Sequence, residues 1–185
     1  MKTYIRTLTI AGSDSGGGAG IQADLKTFAA LGTYGMTVIT ALTAQNTREV
    51  RSIAALSPAF VGDQIDVICE DIGVDGVKIG MLFEAKIIEV VASRLKHHKI
   101  KKIILDPVMV AKSGSVLLKT DAIDALKGLL LPLIEIFTPN IKEAEILLNR
   151  SIKTAADAKQ AAVELRAFGA QSVLVVVISK SLQRP

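Results

Sequence analysis

The sequence predicts an α/β protein: a mainly parallel central sheet with helices on both faces. Three observations predict it. Short β-rich runs alternate with amphipathic segments along the whole chain, the pattern of repeated strand–helix–strand units. Half of the 185 residues are hydrophobic, only 4% are aromatic and none is tryptophan, so the core is drawn from Val, Ile, Leu and Ala, as in sheets buried on both sides. Two runs, "MTVITAL" and "KKIILD", are nearly continuous in apolar residues, as central strands are.

In chain order, "YIRTLTI" is a strand, a glycine-rich stretch follows, and "GIQADLKTFAALG" is a helix ended by Gly32. After the strand "MTVITAL" comes the helix "PAFVGDQIDVICEDI", with Pro58 in its first turn, where a missing N–H costs nothing. The strand "GVKIG", the helix "AKIIEVVASRLKHHK", the strand "KKIILD", the helix "TDAIDALKGLLL" and the strand "IEIFT" continue the alternation. Helices "IKEAEILLN" and "AADAKQAAVELRAFG", the latter closed by Gly169, lead to a last strand in "SVLVVVI". No repeat, low-complexity tract or linker interrupts the series, so residues 1–185 read as a single domain.

A net charge of +4, spread along the chain, gives no footprint for nucleic acid. One cysteine excludes an internal disulfide and a multi-cysteine metal site. The start, "MKTYIRTLTIAGSDSG", has no apolar stretch long enough for a signal peptide. The apolar run at Val173 to Ile178 is far short of the roughly 20 residues that span a bilayer. The expectation is a soluble cytoplasmic protein that engages neither membrane nor nucleic acid.

In open α/β sheets ligands gather at the carboxyl ends of the strands. That rule picks out "GSDSGGGAG", "TAQNT", "DPVMVAKSG" and "TPNIKEAE", each polar directly after an apolar strand. The glycine loop lacks the Gly-Lys-Ser/Thr of a P-loop and is not a strict Gly-x-Gly-x-x-Gly fingerprint. It is either a tight strand-to-helix turn or a row of backbone N–H groups at a helix start, open to an anion or polar ligand. On the helix that follows, Ile21, Leu25 and Phe28 form the apolar stripe and Asp24 lies beside it. A carboxylate there needs either a donor in the core or a ligand in a pocket.

Gln45 ends a strand with a donor and an acceptor side by side, the pair that grips an aminopyrimidine-like edge; a bond to its own backbone is the other reading. Asp106 ends "KKIILD" and can hold Mg²⁺ through water beside phosphate oxygens. Lys112 either meets phosphate as a point charge or is solvated. Asn140 and Glu143 are spaced as a capping box, which also aims Glu143 at the metal-and-phosphate region. "KHHKIKK" reads as a solvated helix end, with no acidic or cysteine neighbour for His97 and His98, and Cys69 reads as core.

The stretches "TIAGSDSGGGAGIQADLKTFAALGTYGMTVITALTAQNT", "KIGML", "LDPVMVAKSG" and "TPNIKEAE" resemble the hydroxymethylpyrimidine/phosphomethylpyrimidine kinases of thiamine biosynthesis, through nearly the whole chain to about Leu174. The resemblance implies a ribokinase-like fold and a homodimer. It implies ATP- and Mg²⁺-dependent phosphorylation of the pyrimidine alcohol and then of its monophosphate, chemistry that is mostly positioning and charge neutralisation. It also implies that Gly12, Asp24, Gln45, Met81 and Val108 line the pyrimidine pocket. Asp106, Asn140 and Glu143 would organise Mg²⁺ and the ATP phosphates.

The family continues with a Lys-Gly-Gly and a glycine-rich anion hole; here Val176, Val177 and Ile178 stand in the place of the former, and the later loops have no counterpart. The expectations are therefore a chain missing its C-terminal catalytic segment, with little kinase activity and a tendency to associate beyond a dimer through "VLVVVI". A non-catalytic pyrimidine-binding module is the alternative from another class, and a pyridoxal or sugar kinase of the same fold is a third.

Overall fold

The computed structural model describes residues 4–109 and 120–177, without the side chain of Thr120. Lys112 and Ile178 lie outside the described residues. The elements are β1 (Arg6–Asp14), α1 (Gly20–Ala30), β2 (Tyr34–Gln45), β3 (Val50–Ala55), α2 (Pro58–Asp71), β4 (Gly76–Ile79), α3 (Ala85–His97) and β5 (Ile103–Leu105). Then follow α4 (Thr120–Ala125), β6 (Ile136–Phe137), α5 (Ile141–Leu148), α6 (Ala155–Arg166) and β7 (Ser172–Val173). The helix expected over "TDAIDALKGLLL" is regular only as α4; it widens into a π turn at Leu126–Leu130 and tightens into a 3₁₀ turn at Leu131–Leu133, where Pro132 supplies no N–H.

The seven strands form one sheet in the order β3-β2-β1-β4-β5-β6-β7. Every pairing is parallel except that of β3 on β2. β3 has no counterpart in the sequence reading: "VRSIAA" is short and a third polar, and its pairing with β2, not its own pattern, makes it a strand. From β1 the chain leaves towards β2 on one side and returns to β4 on the other. That reversal opens a crevice at the carboxyl ends of β1 and β4.

Side chains alternate across each strand. Leu8 and Ile10, Val77 and Ile79, Ile103 and Leu105, and Phe137 belong to one continuous core with buried residues of α2 to α6, such as Val61, Ile88, Ala122, Leu147 and Leu165. The intervening residues Thr9, Lys78 and Ile104 point the other way, where α1 packs over β1 and β2 and Gly35 lets Leu25 and Phe28 approach the strand. The two faces are unequally covered among the described residues, and Ile104 is 42% exposed.

Local signals set the helix ends. Pro58 opens α2 behind the N-cap Ser57. Asn140 and Glu143 close a complete capping box on α5, and Thr154 with Asp157 closes another on α6. Gly32 and Gly169 follow their helices at positive φ, 71° and 111°.

Candidate active site

A cavity of about 540 Å³ opens at the carboxyl ends of β1, β2, β4 and β5. Gly12, Asp24, Gln45, Met81, Asp106 and Val108, all singled out in the sequence, line it. Asn140 and Glu143 do not; they stand one step behind, at the start of α5.

The glycine loop closes on an internal anion. Asp14, at the end of β1, is 6% exposed. Its Oδ1 accepts the Gly16 N–H at 2.8 Å, and its Oδ2 accepts those of Gly18 and Ala19 at 3.0 and 2.8 Å. The Gly17 N–H goes to the Asp14 carbonyl at 3.0 Å. Of the two readings of the loop, the tight turn holds for these amides, because a carboxylate two to five residues upstream takes them. One glycine is required by close approach to backbone, and a second sits tight against a flexible side chain. Gly20, at φ 56°, would drive a Cβ into the Gly12 carbonyl oxygen, and a Cβ on Gly12 would lie 2.5 Å from Met81 Cε.

Asp24 finds its partners in the sheet beneath it. Its Oδ2 accepts from Thr9 Oγ1 at 2.6 Å and from Lys78 Nζ at 3.1 Å. Lys78, on β4, lines the same cavity and is 24% exposed. Asp106 faces this pair: burial raises its pKa above the usual carboxylate range, the Lys78 ammonium opposes that rise and the Asp24 charge adds to it. Among the described residues the Asp106 carboxylate accepts no hydrogen bond.

Glu143, 3% exposed, is held by Asn140 N–H on Oε2 at 2.9 Å and by Met109 N–H on Oε1 at 3.4 Å. Burial pushes its pKa up, the two N–H donors pull it down, and the Asp106 charge raises it again. Gln45 closes β2. Ser15 Oγ donates to its carbonyl at 2.7 Å and accepts its N–H at 2.8 Å, and its side-chain oxygen accepts from Thr43 Oγ1 at 3.2 Å. Among the described residues no cluster of three or more His, Cys, Asp or Glu could hold a metal ion.

Sequence reasoning missed Lys78, Thr9 and the roles of Asp14 and Ser15. A signal for Lys78 stood in "GVKIG": a lysine in the middle of a short central strand is rarely buried without a partner. His98 also differs from expectation. Its Nε2 lies 2.7 Å from Asp66 Oδ1 on α2, an acidic neighbour that only the folded chain supplies. Cys69 packs against the core, and burial, with Asp66 and Glu70 nearby, raises its thiol pKa and leaves it a poor nucleophile.

A mainly parallel sheet with a cavity at the β1/β4 reversal, and an acidic pair at the end of β5 and the start of α5, defines the class: a ribokinase-like small-molecule kinase fold. The crystal structure of phosphomethylpyrimidine kinase from Clostridium difficile 630 matches with a TM-score of 0.86 and 49% identity, over 92% of this chain and 74% of that one. Pyridoxal kinase from Staphylococcus aureus, solved in complex with AMP-PCP and pyridoxal, matches with a TM-score of 0.85 at 33% identity, over 99% of this chain and 65% of that one. The hydroxymethylpyrimidine/phosphomethylpyrimidine kinase of Escherichia coli (strain K12) is 49% identical over 172 residues, 92% of this chain. Residues 14–182 match the phosphomethylpyrimidine kinase family, and the chain belongs to that family. It spans 65% of the length of the E. coli relative.

Proposed function

We propose that the chain forms the substrate-binding part of a kinase that uses ATP to phosphorylate 4-amino-5-hydroxymethyl-2-methylpyrimidine and then its monophosphate, in thiamine biosynthesis. The observation that carries this reading is convergence. Gly12, Asp24, Gln45, Met81 and Val108 come from separate strand ends and a helix, yet line one cavity of a size suited to a small heteroaromatic alcohol. Gln45 offers the paired donor and acceptor for the aminopyrimidine edge, Met81 and Val108 supply apolar walls, and Asp24 supplies an acceptor.

ATP is supported by family membership and by the S. aureus relative, solved with an ATP analogue. The residues fit a Mg²⁺ ion carried by phosphates and water rather than caged by protein. Asp106 is a partly buried carboxylate with no hydrogen bond among the described residues, whereas both oxygens of Glu143 are already engaged. Mg²⁺ would neutralise charge on the phosphates when bound. Asp106 would face it directly, Glu143 would add negative field from behind, Asn140 would hold Glu143 in place, and Lys112 would meet phosphate.

The pyridoxal kinase likeness favours pyridoxal, another ring bearing a hydroxymethyl group, as the second substrate to test. A homodimer fits the β2–β3 face, where Leu42 is 48% exposed beside its exposed cross-strand neighbour Ala54, and a cytoplasmic site fits thiamine precursors made inside the cell. Calorimetry with the pyrimidine and with AMP-PCP, beside a coupled ATPase assay, tests the proposal. Pyrimidine binding with turnover supports a kinase. Pyrimidine binding without nucleotide binding or turnover supports the binding module. No pyrimidine binding refutes both.

A further inference from the structure

We propose that Lys78 and Thr9 are positioning residues that fix Asp24 in the cavity so that its Oδ1 is presented to a donor group on the bound ring. The inference rests on the reading above that the cavity takes a small heteroaromatic alcohol.

The two oxygens of Asp24 are in different situations. Oδ2 is held by two donors from neighbouring strands, Thr9 Oγ1 on β1 at 2.6 Å and Lys78 Nζ on β4 at 3.1 Å. Oδ1 accepts no hydrogen bond among the described residues and is not a buried unsatisfied atom, so it is open on the cavity side. Asp24 is 15% exposed and Thr9 fully buried, so this anchor is built into the sheet and is no chance surface contact. A carboxylate pinned through one oxygen presents the other in a fixed direction, which removes the ordering cost that a free side chain incurs on binding.

Charge completes the argument. Asp24 and Asp106 share one side of the cavity, and the Lys78 ammonium acts on both. Gly80 leaves room for it, since a Cβ there would stand 3.0 Å from Lys78 Nζ. Without that ammonium the two carboxylates would repel each other, and Asp24 would lose one of the two donors that hold its Oδ2. Lys78 thus acts through Asp24 and needs no contact with the ligand.

The test is a double-mutant cycle read by calorimetry with 4-amino-5-hydroxymethyl-2-methylpyrimidine, using Lys78→Met, Asp24→Asn and the double variant. Lys78→Met is expected to weaken binding roughly tenfold, the factor for one charge-assisted hydrogen bond lost. Lys78→Arg should restore most of the affinity, and Lys78→Met should add little once Asp24→Asn is present. An equal loss from Lys78→Met in both backgrounds, or no loss in either, overturns the proposal. Thr9→Val, which removes the second anchor at constant shape, should weaken binding in the same coupled way and serves if Lys78→Met does not fold. If the wild-type chain binds pyridoxal and not the pyrimidine, the substrate assignment fails and the cycle is read with pyridoxal. If it binds neither, both fall.

Discussion

Ser15 and Gln45 clasp each other at the mouth of the cavity: the serine hydroxyl donates to the glutamine carbonyl at 2.7 Å and accepts the glutamine N–H at 2.8 Å. The glycine loop and the end of β2 are thereby fastened together, and the glutamine side chain is aimed from a fixed backbone. Replacing Gln45 by alanine should cost about 1–3 kcal/mol of affinity for the pyrimidine, the worth of a paired hydrogen bond to a base edge. Ser15→Ala should weaken binding less while lowering stability by about 1 kcal/mol, since its bonds are exposed. Calorimetry and urea denaturation measure the two effects separately.

Asp14→Ala removes the acceptor of three loop amides. Water reaches Gly16, Gly18 and Ala19 and offsets part of the loss, so a destabilisation of about 2 kcal/mol is expected. Asp14→Asn keeps acceptor oxygen for some of these amides and should fall between. Equal urea midpoints for wild type and Asp14→Ala would mean that the loop holds its shape by other means.

Two glycines with similar φ make a controlled comparison. Gly32, at 71°, has nothing within 4 Å of where a Cβ would stand, so Gly32→Ala bears only the left-handed backbone cost of about 1–2 kcal/mol. Gly20, at 56°, bears that cost and a collision with the Gly12 carbonyl. Gly20→Ala should cost roughly 4 kcal/mol or more, in the range that marks a specific structural conflict. Chemical denaturation of both variants decides whether the close approach, beyond φ alone, demands glycine at position 20.

Arg6 and Asp75 give the acid side of the stability profile a named contributor. The Arg6 guanidinium and N–H hold the Asp75 carboxyl well below the usual carboxylate range. A depressed folded-state pKa adds stability that is fully present above the unfolded value near 4, and it is lost as the pH falls through the folded value. Asp75→Asn should therefore narrow the gap between the melting temperatures at pH 7 and pH 2, and high salt should narrow it in the wild type because the pair is exposed. An unchanged gap would exclude this pair as a contributor.

What could be read in the sequence was local. The Asn140–Glu143 capping box, Pro58 at the start of α2 and the place of Asp24 beside the apolar stripe of α1 each depend on residues within one or two turns. The resemblance extended that reading to the cavity lining. What could not be read depends on partners far along the chain: Lys78 meets Asp24 across 54 positions and His98 meets Asp66 across 32. β3 escaped because its neighbour, more than its composition, makes it a strand. The glycine loop is half legible in the sequence. Its need for unusual backbone is plain, but the hydrogen-bond partner that absorbs its N–H groups is the aspartate in its own midst.

That aspartate gives the cavity a direction. Because Asp14 already occupies the amides ahead of α1 with a negative charge, a phosphate arriving there meets repulsion where a helix start ordinarily welcomes it. Under the function proposed above, the α1 side suits an uncharged ring, and the opposite rim, where β5 ends and α5 begins, suits a phosphoryl donor. Electrostatics would then sort the two reactants to opposite sides before either makes a specific contact.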